Sequence, residues 1–212
     1  MKAVAIDIPL LSIHLKGDLV IPENAIGIVV FSHGSGSSRL SPRNKLVAEL
    51  MQQHGIGTLL FDLLTEEEDQ NYENRFNIDL LVSRLIQATE WLTQHKVSKD
   101  LPLAYFGAST GAASALRAAA YFGKNIKAVV SRGGRPDLAL SVLHLVTAPT
   151  LLIVGQLDVP VIKMNKQAFD QLDSIKEMKI IPGASHLFEE SGKLMEVANM
   201  AIQWYKKYLI MD

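Results

Sequence analysis

A strand, a tight turn and a helix follow one another near the centre of the sequence, and this succession constrains the fold most. Residues 101–106 form an apolar run typical of a buried strand, and the small residues of 112–122 suit a helix packed closely on a sheet. Between them, residues 107–111 have the sequence Gly-Ala-Ser-Thr-Gly, a G-x-S-x-G pattern. Such a turn holds its serine in a strained conformation with the hydroxyl clear of the sheet. The motif predicts Ser109 as a nucleophile, with an ordinary strand-to-helix turn as the alternative.

Composition limits the classes of protein to consider. The chain has 212 residues, of which 48% are hydrophobic, so we expect one domain over 1–212. The net charge of −1 gives no reason to expect nucleic acid, and the absence of cysteine excludes disulfides, thiolate metal sites and a cysteine nucleophile. Asp7 interrupts the N-terminal apolar segment, and no apolar run approaches the roughly 20 residues that span a bilayer. We therefore expect a cytoplasmic protein without membrane contact.

The pattern of apolar segments predicts an α/β fold. Strand patterns alternate with helix patterns through the C-terminal two-thirds, which favours a mostly parallel, doubly wound sheet covered on both faces. Short antiparallel strands are predicted before it, at residues 4–6, 12–15 and 19–21, with Gly17 and Asp18 as a turn. The connection between residues 130 and 150 is too short for a cap domain.

Two further residues at predicted strand ends complete a set of catalytic candidates. Asp158 follows the strand at 150–154, and His186 follows the strand at 176–181. A serine hydroxyl needs a base of near-neutral pKa, and the histidine needs an acceptor on its other nitrogen. The chain order Ser109, Asp158, His186 is that of a serine-hydrolase triad. Taken singly, Asp158 could be a charge at a helix N-terminus and His186 a surface loop residue.

The Gly/Ser loop at 32–39 is the candidate for the second half of an oxyanion hole. Backbone amides of Thr110 and of Ser35 or Gly36 could bind the developing negative charge, each contributing roughly 3–4 kcal/mol. His33 is expected to hold this loop by hydrogen bonds.

A dinucleotide-binding loop is the alternative for the same segment. Gly34 and Gly36 would be its first two glycines, and Asp62 ends the next strand as that motif requires. Arg39 stands where the third glycine should be, which argues against it. No Gly-Lys-Ser/Thr follows, so a P-loop is excluded.

Three arginines are candidates for contacting a substrate carboxylate. Arg132 and Arg135 follow a predicted strand at 126–130, and Arg39 closes the Gly/Ser loop. The alternative is a structural role, with Arg135 paired to Asp137. The long polar connection at 62–77 is expected to place Tyr72, Arg75 and Phe76 over the site.

These motifs together resemble the dienelactone-hydrolase-like group of lidless α/β-hydrolases. The resemblance rests on residues 107–111, on the loop at 33–39, on Asp158 and on residues 183–186, and it runs from about residue 25 to the C-terminus. It implies a serine nucleophile, an acid and a base at Ser109, Asp158 and His186. Dienelactone hydrolase proper has cysteine as nucleophile, so its substrate is not carried over. Relatives of this sub-branch are sometimes fused to a phosphoribosyltransferase domain.

The sequence therefore predicts a serine hydrolase that cleaves a small ester, thioester or lactone through an acyl-enzyme. It requires no metal or other cofactor, and its expected partner is the small-molecule ester substrate. A noncatalytic protein of the same fold, binding a ligand or partner, is the alternative. A homodimer is left open.

Overall fold

The computed structural model describes residues 4–10 and 12–210. Their eight strands belong to one sheet. In chain order the strands are β1 (Val4–Pro9), β2 (His14–Val20), β3 (Ile28–Ser32), β4 (Gly57–Phe61), β5 (Leu103–Ala108), β6 (Ile126–Arg132), β7 (Thr150–Gly155) and β8 (Lys176–Ile181). Their spatial order is β1-β2-β4-β3-β5-β6-β7-β8. β2 pairs antiparallel with both of its neighbours, β1 and β4. The other five pairs, which join β4, β3, β5, β6, β7 and β8 in that spatial order, are parallel. The predicted mostly parallel sheet is confirmed.

Helices cover both faces of the sheet. They are α1 (Pro42–Gln53), α2 (Ile78–Gln94), α3 (Thr110–Phe122), α4 (Val159–Gln171) and α5 (Lys193–Tyr208). Buried side chains of α2, α3 and α4 share one hydrophobic cluster with the sheet, and those of α1 and α5 share the other. The near-continuous apolar strands are therefore buried on both sides, which confirms the predicted double winding. Among the residues described, no helix has the length and apolar character needed to cross a bilayer.

Among the described residues, the connecting segments contain four 3₁₀ helices. They lie at Glu68–Gln70, Tyr72–Phe76, Gly123–Asn125 and Pro136–Leu145. Between β6 and β7 the described chain holds only the last of these, so no cap domain is inserted there.

The predicted turn at Gly17 and Asp18 is wrong. Both residues lie inside β2, where Gly17 pairs with Ile6 on one side and Phe61 on the other. A Cβ at Gly17 would come within 3.2–3.3 Å of side-chain atoms of Ile6, Leu59 and Phe61. The glycine therefore gives room for the side chains of neighbouring strands rather than bending the chain.

The first turn of α3 lies unusually close to the sheet. A Cβ on Gly111 would overlap the carbonyl oxygens of Ser32 and His33, and a Cβ on Gly107 would overlap the backbone of Ala112. The buried hydroxyls of Ser32 and Ser114 are also hydrogen-bonded, at 2.7 Å. The glycines of the G-x-S-x-G pattern are thus required by backbone contact.

Substituting Gly111 tests this contact. Gly111→Ala should lower the free energy of unfolding by about 3 kcal/mol, because α3 must move off β3 to admit a methyl group. The control is Gly55→Ala, where φ is +74° and the surrounding space is open. At Gly55 the substitution meets no steric contact, and the left-handed backbone conformation alone should lower the free energy of unfolding by about 1 kcal/mol. Denaturant unfolding of both variants measures the difference, and equal losses would contradict the account.

Candidate active site

Ser109 occupies the sharp turn between β5 and α3. Its backbone has φ 51° and ψ −123°, a strained conformation for a residue with a side chain. Three backbone hydrogen bonds hold it there: Ser109 N–H donates to Arg132 O at 3.3 Å, and Ser109 O accepts from Ala112 N–H at 3.0 Å and Arg135 N–H at 2.9 Å. The turn is thus tied to the loop after β6, and its half-buried serine lines a cavity.

Asp158 and His186 are in direct contact. The Nδ1 atom of His186 lies 2.6 Å from Oδ2 of Asp158, whose side chain is only 13% exposed. With the aspartate ionised, Nδ1–H donates to the carboxylate and Nε2 keeps its lone pair. The sequence predicted this pairing from the position of each residue at a strand's carboxyl end and from the chain order of Ser109, Asp158 and His186.

The loop that carries His186 is held from both sides. Gly155 lies so close to it that a Cβ would overlap the carbonyl oxygens of Ala184 and Ser185. The Ser185 N–H donates to both carboxylate oxygens of Glu190, each at 3.1 Å. Glu190 was not predicted, because an acidic residue in a polar loop carries no distinguishing sequence signal.

Ser109 and His186 both line one cavity of about 250 Å³. Its other walls come from the Gly/Ser loop, the start of α1, the end of β6 and Leu187. Among the contacts of the described residues, no hydrogen bond joins Ser109 to His186. Catalytic hydrogen bonds in ligand-free enzymes are often long and tighten when substrate binds.

The long connection at 62–77 was expected to place three side chains over the site. None of the three, Tyr72, Arg75 and Phe76, is among the lining residues of this cavity.

The oxyanion-hole residues are only partly brought together. Ser35 lines the cavity, and its N–H donates to Oγ1 of Thr110 at 2.8 Å. Gly36, with φ 68°, turns the loop, and Ser37 N–H closes the turn on Gly34 O at 3.1 Å. To bind an oxyanion, the Ser35 N–H would have to give up its hydrogen bond to the Thr110 hydroxyl and donate to the substrate oxygen instead. The roles of Thr110, Ser35 and Gly36 stay predictions.

His33 fixes the Gly/Ser loop, as expected. Its Nδ1–H donates to Gly34 O at 2.9 Å, and its Nε2 accepts from Leu63 N–H at 3.1 Å. The bond accepted at Nε2 needs the neutral ring, and burial lowers the pKa of His33.

The three candidate arginines have different surroundings. Arg135 makes a two-pronged ion pair with Asp137, at 2.9 and 2.8 Å. Arg39 pairs with Asp62 through its backbone N–H, at 2.8 Å, and through its guanidinium. Of the three, only Arg132 is among the residues that line the cavity.

The pairing of Asp62 also bears on the dinucleotide alternative. That motif needs a free acid to accept bonds from a ribose, whereas both carboxylate oxygens of Asp62 already accept from Arg39. Within the described residues, no three His, Asp or Glu side chains form a metal-binding group.

Two lining residues were missed by sequence reasoning. Arg43 and Asn44 reach the cavity from the first turn of α1. The Ser41 hydroxyl caps this helix by accepting from Asn44 N–H at 3.4 Å, and Pro42 occupies its first position. A Ser-Pro pair is a sequence signal for the start of a helix, and it could have placed the next two residues in the first turn of the helix after β3.

The chain is similar to a solved dienelactone hydrolase from Anabaena variabilis, with 55% identity, a TM-score of 0.95 and 98% of each chain covered. Est1E from Butyrivibrio proteoclasticus has a TM-score of 0.83 at 15% identity, over 96% of this chain and 98% of that chain, which shows the fold alone.

Two Mycobacterium tuberculosis proteins, from strains CDC 1551 / Oshkosh and H37Rv, are each named "Putative phosphoribosyl transferase". Each is 52% identical over 197 residues, which is 93% of this chain and 44% of the relative. The chain thus spans less than half the length of these curated relatives. No protein-family model matches the chain.

Acidification tests the role of His33. Because burial lowers the pKa of this ring, the unfolded chain takes up a proton that the folded chain resists. The contribution of His33 is therefore present above the unfolded pKa of about 6.5 and lost as pH falls below it. We expect the free energy of unfolding to fall less between pH 7.5 and 5 in His33→Gln than in the wild type. The exposed His144, changed to Gln, is the control. Parallel pH profiles for all three proteins would refute the expectation.

Proposed function

Because the chain belongs to the dienelactone hydrolase family of α/β-hydrolases, we propose that it is a serine hydrolase that cleaves a carboxylic ester, thioester or lactone. The observation that carries this proposal is the 2.6 Å hydrogen bond from His186 to Asp158, beside a cavity that Ser109 also lines. Because this bond occupies Nδ1, Nε2 is the ring nitrogen that can act as a base. A purely structural histidine would not explain why a strained serine lines the same cavity.

In the first half of the proposed reaction, Nε2 of His186 takes the proton of the Ser109 hydroxyl as Oγ attacks the substrate carbonyl carbon. Asp158 keeps the imidazole in the required tautomer and stabilises the imidazolium that forms. The negative charge on the carbonyl oxygen is bound by the amide of Thr110 and by that of Ser35 or Gly36. The imidazolium then protonates the leaving oxygen or, in a thioester, the leaving sulfur. The product is an alcohol or a thiol, which departs unless the substrate is a lactone, where the alcohol stays attached to the acyl group.

In the second half, His186 takes a proton from water, and the resulting hydroxide attacks the acyl carbon on Ser109. The tetrahedral intermediate collapses, the proton returns to Ser109 Oγ, and the free acid leaves. These steps consume one water and one ester and need no other reactant.

The size of the substrate follows from the cavity. A volume of about 250 Å³, without a cap domain above it, favours a small acyl group. The substrate in the name of the Anabaena variabilis relative is not transferred to this chain. Nor is the transferase activity in the names of the Mycobacterium tuberculosis proteins, since the chain covers only 44% of each.

Single substitutions in the triad test the proposal. Against p-nitrophenyl esters of graded chain length, Ser109→Ala and His186→Ala should lower kcat by several powers of ten, up to roughly 10⁶-fold, because nucleophile and base act as one unit. The controls are Ser83→Ala and His144→Gln, which change an exposed serine and an exposed histidine that are not among the residues lining the cavity. A fluorophosphonate probe should label the wild type and both controls but not Ser109→Ala.

Unchanged turnover in Ser109→Ala would place the reaction elsewhere. Failure of the wild type both to cleave any ester of the panel and to react with the probe would favour the noncatalytic alternative.

A further inference from the structure

The backbone of Ser109 is held by the segment at the end of β6, residues 132–135. The Ser109 N–H donates to Arg132 O at 3.3 Å, and the Arg135 N–H donates to Ser109 O at 2.9 Å. Both hydrogen bonds act on the peptide groups of a residue whose φ and ψ are strained. A strained backbone persists only where its surroundings hold it, so the position of the Ser109 hydroxyl depends on where this segment lies.

The same segment also lies against His186. Gly133, with a φ of 51°, comes so close that a Cβ would be 3.1 Å from the His186 carbonyl oxygen and 3.5 Å from Cε1 of its imidazole. The Gly133 N–H donates to Ile153 O of β7 at 2.8 Å. Residues 132–135 therefore contact both the turn that carries Ser109 and the loop that carries His186. A shift of this segment would change how the two side chains face each other.

The side chain of Asn165, on α4, anchors this segment. Its Nδ2 donates to Gly134 O at 3.0 Å and to Val161 O, one helical turn earlier, at 2.8 Å. Asn165 is completely buried and is not among the residues that line the cavity. Because both neighbours are carbonyl oxygens, only a donor fits here. An aspartate would repel them, and a leucine would remove the bond that Gly134 O accepts.

The packing of Gly134 shows that the anchor serves position more than stability. A Cβ on Gly134 would overlap Oγ of Ser131 and Cβ of Ala112, so the segment rests directly on the first turn of α3. Burying an amide costs stability unless its hydrogen bonds compensate. Within the described part of the chain, Oδ1 of Asn165 has no hydrogen-bond partner, so this cost is offset only in part. What the amide supplies is a fixed place for residues 132–135.

We propose that Asn165 is a positioning residue for the reaction of Ser109. Through Gly134 it fixes residues 132–135, and these fix the strained turn of Ser109 relative to His186. The inference rests on the proposed function, in which Ser109 is the nucleophile. A displacement of about 1 Å between reacting groups can cost roughly 10²-fold in rate, so one buried hydrogen bond behind the nucleophile is enough to control it.

The rate at which a fluorophosphonate reacts with Ser109 tests this role. Asn165→Leu removes both hydrogen bonds at similar volume, whereas Asn165→Thr retains a donor for Val161 O only. Both variants should react roughly 10- to 100-fold more slowly per folded molecule, while the probe concentration that gives the half-maximal rate changes less than about threefold. A merely structural role would lower the melting temperature or the labelled fraction and leave this rate unchanged.

Two controls separate position from stability. Ala168→Gly changes another buried residue of α4 and should lower the melting temperature without slowing the reaction. Ser131→Ala removes the buried hydroxyl beside Gly134, for which the described residues provide no hydrogen-bond partner, and it should also leave the rate unchanged. Equal slowing in Ala168→Gly and Asn165→Leu would overturn the proposal.

Hydrogen exchange tests the anchor without catalysis. In Asn165→Leu, the Arg135 N–H that donates to Ser109 O should exchange at least roughly tenfold faster, relative to the amides of β5, than in the wild type. Unchanged exchange at Arg135 would refute the anchor. Faster exchange with an unchanged reaction rate would refute the positioning role and leave hydrolysis by Ser109 intact. A wild type that cleaves no ester and does not react with the probe would instead refute the proposed function.

Discussion

The close approach of α3 to β3 is the constraint on which the site depends. With no side chain at Gly111, the first turn of α3 rests on the carbonyl oxygens of Ser32 and His33. This contact brings the start of α3 against the Gly/Ser loop and leaves Ser109 no relaxed backbone conformation. The strain at Ser109 is therefore maintained by packing on both sides of the turn, and the side chain is presented to the cavity rather than to the core.

Separate loops bring the other functional groups to the same edge of the sheet. Because parallel strands end together, the loops after β3, β5, β6, β7 and β8 are neighbours although they are far apart in sequence. Gly155 lets the His186 loop lie against the end of β7, and the neutral ring of His33 joins the Gly/Ser loop to the chain after β4. The site is thus built from backbone contacts that leave its polar side chains available.

The sequence was sufficient for the sheet, the strained turn and the Asp158–His186 contact, because strand ends and glycine positions are local signals. It was insufficient where a residue's role depends on partners distant in sequence. Gly17 was predicted to form a turn because the residue it packs against, Phe61, is distant in sequence, so the neighbouring residues gave no sign of that contact. Arg132 could not be separated from Arg39 and Arg135, since all three follow predicted strands, and only the folded chain shows which of them have carboxylate partners.

The central claim is that Ser109, His186 and Asp158 act as one unit. A crystal structure of the protein after reaction with a fluorophosphonate tests it most directly. The account predicts a bond from Oγ of Ser109 to phosphorus, with the phosphoryl oxygen bound by the amides of Thr110 and of Ser35 or Gly36. It also predicts that Nε2 of His186 lies within hydrogen-bond distance of the adduct. An adduct on another residue, or an imidazole turned away from a modified Ser109, would contradict it.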